Sequence, residues 1–146
     1  NRGIDILEVT LHVGLGTFSS IDQEDIRKHK MHAEFFSVSP QTLRQLQVYQ
    51  NNNKQMINVG TTSVRVLETL ARQNFQESSG WTDIFIYPPC KFKMTDGLLT
   101  NFHLPKSTLM LLVSAFCGQD LLLSAYQNAV AEKYRFFSYG DCMLIL

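Results

Sequence analysis

The amino-acid sequence predicts an α/β fold, with a mixed, partly parallel sheet and flanking helices. Two observations carry that expectation. Short apolar or alternating stretches at residues 4–11, 56–59, 84–87 and 143–146 interleave with stretches whose apolar residues recur at helical spacing. The connections between them are short, and no repeat, linker or low-complexity tract interrupts the order, which favours crossovers that lay some strands side by side in one direction.

Ile4, Ile6, Leu7, Val9, Leu11 and Val13 alternate in part and predict a strand that runs into a turn at Gly14 and Gly16. Ser39-Pro40 predicts a helix start with Leu43, Leu46 and Tyr49 inward, stopped by Asn51-Asn52-Asn53. Residues 56–59 read as a short buried strand, and residues 60–63 turn the chain into a helix carrying Val64, Leu67 and Leu70 or Ala71 inward. Gly80 punctuates, and residues 84–87 predict another strand before Pro88-Pro89. Pro105 presets a helical φ, so a helix is expected to start within a residue or two of Pro105 or Ser107, bury Leu109, Leu112, Val113 and Phe116, and end at Gly118. A last helix from about Asp120 to Lys133 buries Leu122, Ala125, Tyr126, Ala129 and Val130, and residues 143–146 form a final strand.

At 146 residues the chain has the size of one domain, and 45% hydrophobic against 18% charged residues describes an ordinary soluble protein. Thirteen basic side chains balance thirteen acidic ones, so any contact with a polyanion must come from a local patch. Cys90, Cys117 and Cys142 are odd in number and widely spaced, which suggests neither a disulfide framework nor a zinc site and fits a reducing cytoplasm. No apolar run is long enough to span a bilayer, and no membrane association is expected. The chain opens on Asn1 inside a probable strand, so a fragment of something longer is expected.

Several residues are candidates for chemistry, each with a plainer alternative. Asn101, His103, Lys106 and Ser107 crowd the entrance of the apolar helix after Pro105 and suit an anion; the alternative is a capped buried helix. Gly60, Thr61, Thr62 and Ser63 present N–H groups and hydroxyls at a helix start, with Arg65 one turn inside, and suit a phosphate or carboxylate; ordinary capping competes. His32 and Glu34 share a face if they stand on a strand and are candidates for proton transfer, or else form a surface contact. Arg27, Lys28 and Lys30 are concentrated enough to meet an RNA backbone, or to be a solvated face. His12 ends a strand before the glycine turn, Asp96 precedes Gly97 in a turn, and Tyr139 and Asp141 flank Gly140 beside Arg135.

Five stretches occur in a telling order: His12-Val13-Gly14-Leu15-Gly16-Thr17-Phe18, Met31-His32-Ala33-Glu34, Val59-Gly60-Thr61-Thr62-Ser63-Val64-Arg65-Val66-Leu67-Glu68, the run from Thr100 to Ser107, and Tyr134-Arg135-Phe136-Phe137-Ser138-Tyr139-Gly140-Asp141. Together they resemble the S-adenosylmethionine:tRNA ribosyltransferase-isomerases of queuosine biosynthesis, the QueA family. The resemblance runs from about Thr10 to the C-terminus.

It implies that residues 1–146 are the C-terminal portion of a larger α/β domain, without the N-terminal half and an inserted β-barrel subdomain. It implies transfer of the ribosyl unit of S-adenosylmethionine, as donor substrate and with no metal, to 7-aminomethyl-7-deazaguanine at the tRNA wobble position. Adenine and methionine leave, and the ribose is isomerised to give epoxyqueuosine. Such chemistry needs a base beside the sulfonium, with His32, Glu34, His103 and Asp96 as candidates. His12, Gly14, Gly16, Gly60 to Ser63, Arg65, Asn101, Lys106, Ser107, Tyr139 and Asp141 are the implied substrate-binding groups, and Arg27, Lys28 and Lys30 the RNA contacts. A cytoplasmic monomer at full length is expected. The alternative is a noncatalytic RNA- or nucleotide-binding module on the same scaffold. One departure is visible: Pro88-Pro89-Cys90 stands where the family carries Pro-Gly and an aromatic.

Overall fold

The computed structural model describes residues 3–14, 21 and 25–146. Its order is β1 (Thr10–Leu11), a 3-10 turn (Ile26–Lys28), β2 (Glu34–Ser37), α1 (Pro40–Asn51), β3 (Ile57–Val59), α2 (Thr61–Arg72), β4 (Ser79–Thr82), β5 (Gly97–Asn101), α3 (Thr108–Cys117), α4 (Gln119–Ala131) and β6 (Cys142–Ile145). The strands described form two sheets. One is antiparallel, in the order β1-β2-β4; the other is mixed, in the order β3-β5-β6, with β3 and β5 parallel and β6 antiparallel to β5. The expected α/β class with a partly parallel sheet is therefore found.

Helix starts follow local chemistry. The Ser39 hydroxyl accepts from the Thr42 N–H at 3.0 Å, with proline at the first turn of α1. Ser107 does the same for Met110 at the head of α3, and its hydroxyl donates to the Leu104 carbonyl at 2.7 Å. Gly118, at φ 86°, closes α3 and opens α4, so the two helices meet at 115° across one residue that tolerates left-handed geometry. No single helix among the described residues is long and apolar enough to cross a membrane.

α2 is buried continuously from Val64 to Ala71 and contacts strands of both sheets. Val64 joins one apolar cluster with Ile84, Ile86, Leu98, Phe102, Leu112, Val113 and Tyr126. Val66, Leu67, Leu70 and Ala71 join the other, with Phe36, Leu46, Phe75 and Met94. Burial of each such aliphatic side chain contributes about 1.5–3 kcal/mol.

The strand expectations need three corrections. The N-terminal strand is confined to Thr10–Leu11, and Ile4 and Ile6 lie exposed and pair with no described strand. Residues 84–87 are extended but pair with no described strand; the pairing falls earlier, at Ser79–Thr82, where Gly80 lies over the ring of Phe36. β3 is not buried: Ile57 and Val59 face outward and Asn58 faces in, donating to the Met94 carbonyl at 3.1 Å and the Thr95 hydroxyl at 2.9 Å. An apolar-polar-apolar strand fixes the register but not the buried face, and Asn58's hydrogen bonds decide it.

Candidate active site

β3 and β5 run parallel with Val59 opposite Leu99, and the Gly60 N–H donates to the Leu99 carbonyl at 2.8 Å. The chain therefore leaves both strands at one edge: β3 into Gly60 and α2, β5 into Asn101, His103 and the approach to α3. Ligands of α/β sheets bind outside the carboxyl ends of parallel strands. At this edge Gly60 holds φ 86°, and among the described residues no side chain caps α2. Ser63 donates its hydroxyl to the Val59 carbonyl at 2.7 Å, so the expected capping role is not taken up. The first N–H groups of an α-helix have no partner within the helix, so such a start can receive water or an anion. A cleft of about 250 Å³ opens beside them, lined by Thr62 and Ser63 on the helix and by Val9, Thr10 and Leu11 around β1.

Beneath this edge lies a buried ion pair. Arg65 and Glu34 are 2% and 3% exposed, and Arg65 Nη1 donates to Glu34 Oε2. Glu34 Oε1 accepts from the Gly14 N–H at 2.7 Å. The carboxylate thus ties the loop after β1 and the first turns of α2 to β2. His32 is not brought to Glu34, because β2 begins at Glu34 and alternation does not extend back to the exposed His32. His12 is exposed, donates its N–H to the Phe35 carbonyl at 2.8 Å, and rests its ring 5.7 Å from that of Phe35. Gly16 lies outside the described residues.

The β5 side of the edge carries the second cluster. His103 Nε2 and the Thr100 hydroxyl are 2.8 Å apart, and the His103 N–H donates to the Tyr126 hydroxyl at 2.6 Å. Burial lowers the His103 pKa to about 4, so the imidazole is neutral at pH 7. Asn101 lies opposite Cys142 and donates to the Asp141 carbonyl at 3.3 Å, which draws the turn before β6 to the same edge. That turn is closed by Asp141, whose carboxylate accepts from the Arg135 N–H at 2.7 Å; this bond and the Arg135 side chain hold its pKa below the usual carboxylate range. A Cβ on Gly140 would sit 2.3 Å from the Arg135 carbonyl oxygen, so only glycine fits there. Tyr139 is 98% exposed.

Other candidates fall elsewhere. Asp96 accepts from the Met56 N–H at 2.8 Å ahead of β3 and β5, so it stands at the amino ends of these strands, about 13 Å from Gly60 along the line of β3. Lys106 is exposed at φ 57°, and its carbonyl accepts from the Ile21 N–H at 2.8 Å. Ser107 is spent on the α3 cap. Arg27 and Lys28 are exposed on the 3-10 turn, Arg27 paired with Asp25 at 2.9 Å, and Lys30 is exposed just after it.

Sequence reasoning missed Glu68. It is fully buried on α2 and accepts from the Lys93 N–H at 3.0 Å, the Met94 N–H at 2.9 Å and the Thr95 hydroxyl at 3.0 Å, while Asn58 holds the same Thr95 from β3. The available signal was a carboxylate four residues after Val64 on the apolar stripe of a helix.

The neutral His103 has a measurable consequence. Its folded pKa lies below the ordinary 6.5, so between these values the unfolded chain binds more protons than the folded one. The contribution is fully present above pH 6.5 and is lost as pH falls toward 4. Denaturant titrations across this window should show stability declining with acid, and a smaller decline in His103→Gln; equal slopes would mean that His103 is not held neutral.

The α/β layer thus gathers a helix start, a shielded imidazole and a tied-down polar turn at one carboxyl edge, the place where α/β sheets as a class carry their ligand sites. Comparison makes the class specific. The chain belongs to the queuosine biosynthesis protein family, whose model matches residues 1–145. It is 57% identical over 145 residues to the S-adenosylmethionine:tRNA ribosyltransferase-isomerase of Sulfurihydrogenibium sp. and 53% identical over 146 residues to that of Thermotoga maritima. These matches cover 99% of this chain and about 43–44% of the relatives, so the chain spans less than half their length. The crystal structure of the Thermotoga maritima S-adenosylmethionine tRNA ribosyltransferase matches with a TM-score of 0.70 and 52% identity, over 77% of this chain and 41% of that one.

Proposed function

We propose that this chain is the C-terminal part of an S-adenosylmethionine:tRNA ribosyltransferase-isomerase, which transfers and isomerises the ribosyl unit of S-adenosylmethionine onto 7-aminomethyl-7-deazaguanine in tRNA. The observation that carries this reading is 57% identity across 99% of the chain to a protein of that name. The uncapped start of α2, with its cleft, suits the methionine carboxylate or a phosphate. Asn101, with the Asp141 turn it holds, faces the donor from the β5 side of the same edge. His103, neutral and bonded to Thr100, serves as a hydrogen-bonding group and not as a strong base, since an imidazole that titrates near 4 is a poor proton acceptor at pH 7. Exposed His32 is the better base, because a group that takes a proton from bound substrate must be reachable, whereas the Asp96 and Glu34 carboxylates bind backbone N–H groups. Glu34 and Arg65 act by positioning the Gly14 loop and the α2 entrance.

The test uses protein of the relatives' full length, incubated with S-adenosylmethionine and the precursor tRNA. Adenine should be released only when the precursor is present, and the 146-residue chain alone should release none, because two large reactants must be held in one geometry. Adenine release that ignores the precursor, or none at all, sinks the proposal.

A further inference from the structure

Residues 83–87 continue beyond the last pair of the β2–β4 ladder, Glu34 with Thr82, where the two strands part. Ile84 and Ile86 turn into the core, and the intervening Phe85 and Tyr87 take the opposite side, half-buried, with their rings 4.8 Å apart. The ring of His29, from the segment leading into β2, packs 5.1 Å from Phe85. Together with Arg27, Arg72 and Pro88 the two aromatic residues line an open groove of about 580 Å³. This explains why a strand-like sequence pairs with no described strand: its alternation serves a core on one side and a groove on the other.

The groove's charge is local. The chain as a whole is neutral, yet Arg27 and Arg72 line the groove, and Lys28, Lys30 and Lys91 stand one to three residues along the chain from lining residues. Among the described residues Asp25 accepts from Arg27 at 2.9 and 3.0 Å, but the Arg27 side chain remains 76% exposed, so this guanidinium can be shared with a ligand. Arg72 Nη2 points to the Cys90 sulfur at 3.7 Å, a weak acceptor. Paired aromatic rings between guanidinium groups match an unpaired nucleotide, whose base offers a π-face and whose phosphates offer acceptors. A duplex does not match, because its bases are already stacked.

We infer that this groove binds an unpaired RNA segment, with one base stacked on Phe85 and Tyr87 and the flanking phosphates on Arg27 and Arg72. The inference rests on the proposed reaction in taking RNA as the polymer, and it places the RNA contact just past the Glu34 end of β2, with His32 lying between Arg27 and Glu34 in the sequence.

The experiment measures binding of full-length protein to a single-stranded oligoribonucleotide and to a duplex of equal length, across a salt series, with adenine release recorded in parallel. Phe85→Leu and Tyr87→Leu should each weaken single-strand binding about 5- to 100-fold, and Tyr87→Phe should retain it. Arg27→Gln and Arg72→Gln should each lower the salt slope by about 0.7. The thermal midpoint of each variant identifies loss of fold, and the exposed Arg27 supplies a variant that keeps its core. Leucine variants that fold and bind like wild type, duplex bound as tightly as single strand, or polyglutamate competing as well as RNA would each overturn the groove. Weakened RNA binding in the variants alongside absent adenine release in wild type would instead overturn the reaction and leave the groove standing.

Discussion

Glu34→Ala should lower folding stability by about 3–5 kcal/mol, because it removes the buried carboxylate that the Arg65 guanidinium, 2% exposed, faces. The loss comes mainly from leaving behind one member of a buried charge pair, and less from the attraction between the two groups. Removing both charges with volume kept, as in Glu34→Leu with Arg65→Met, should therefore recover most of the stability in urea titrations. The double variant should not recover everything, since the Gly14 N–H also loses its acceptor. A Glu34→Ala midpoint within the error of wild type would mean that the pair is not buried as described.

Glu68→Ala should be nearly as damaging, at about 3–5 kcal/mol. The carboxylate is fully buried and accepts from Lys93, Met94 and Thr95; each donor left without an acceptor costs about 1–3 kcal/mol, and the part-buried Lys93 N–H the least because water reaches it. Glu68→Gln keeps one acceptor oxygen but turns an amide toward backbone donors, so it should fall between wild type and alanine. The same urea titration decides the order. If glutamine is worse than alanine, the space around residue 68 and not its hydrogen bonds controls the effect.

The parts of the fold that were legible in the sequence are those whose causes are local. Ser39-Pro40 and Ser107 mark helix starts because a hydroxyl at the cap and a preset φ act within three residues. Gly118 is readable as a helix exit for the same reason, since φ 86° favours a residue without Cβ. Strands were less legible, because their placement depends on partners far along the chain. Gly80 looks like punctuation until Phe36 supplies the opposite strand, and Ile84 to Tyr87 look like a strand although no described strand lies beside them. The candidate site was legible as two helix entrances, Gly60 and the run to Ser107. That they share one edge follows only from the pairing of Val59 with Leu99, which no local pattern reveals. Arg65 and Glu34 were singled out, but as groups facing a ligand; their burial against each other depends on β2 and α2 meeting across 31 residues.

The position of α2 also bears on how the molecule comes apart. One side of this helix completes the cluster around Leu98 and Val113, and another completes the cluster around Phe36 and Leu46. Opening either cluster strips apolar surface from the same helix, so excursions that disturb one half withdraw support from the other. Partial unfolding should therefore begin at margins such as the exposed segment before β1, and amide hydrogen exchange should be slowest in α2, the helix to which the carboxyl edge at Gly60 is anchored.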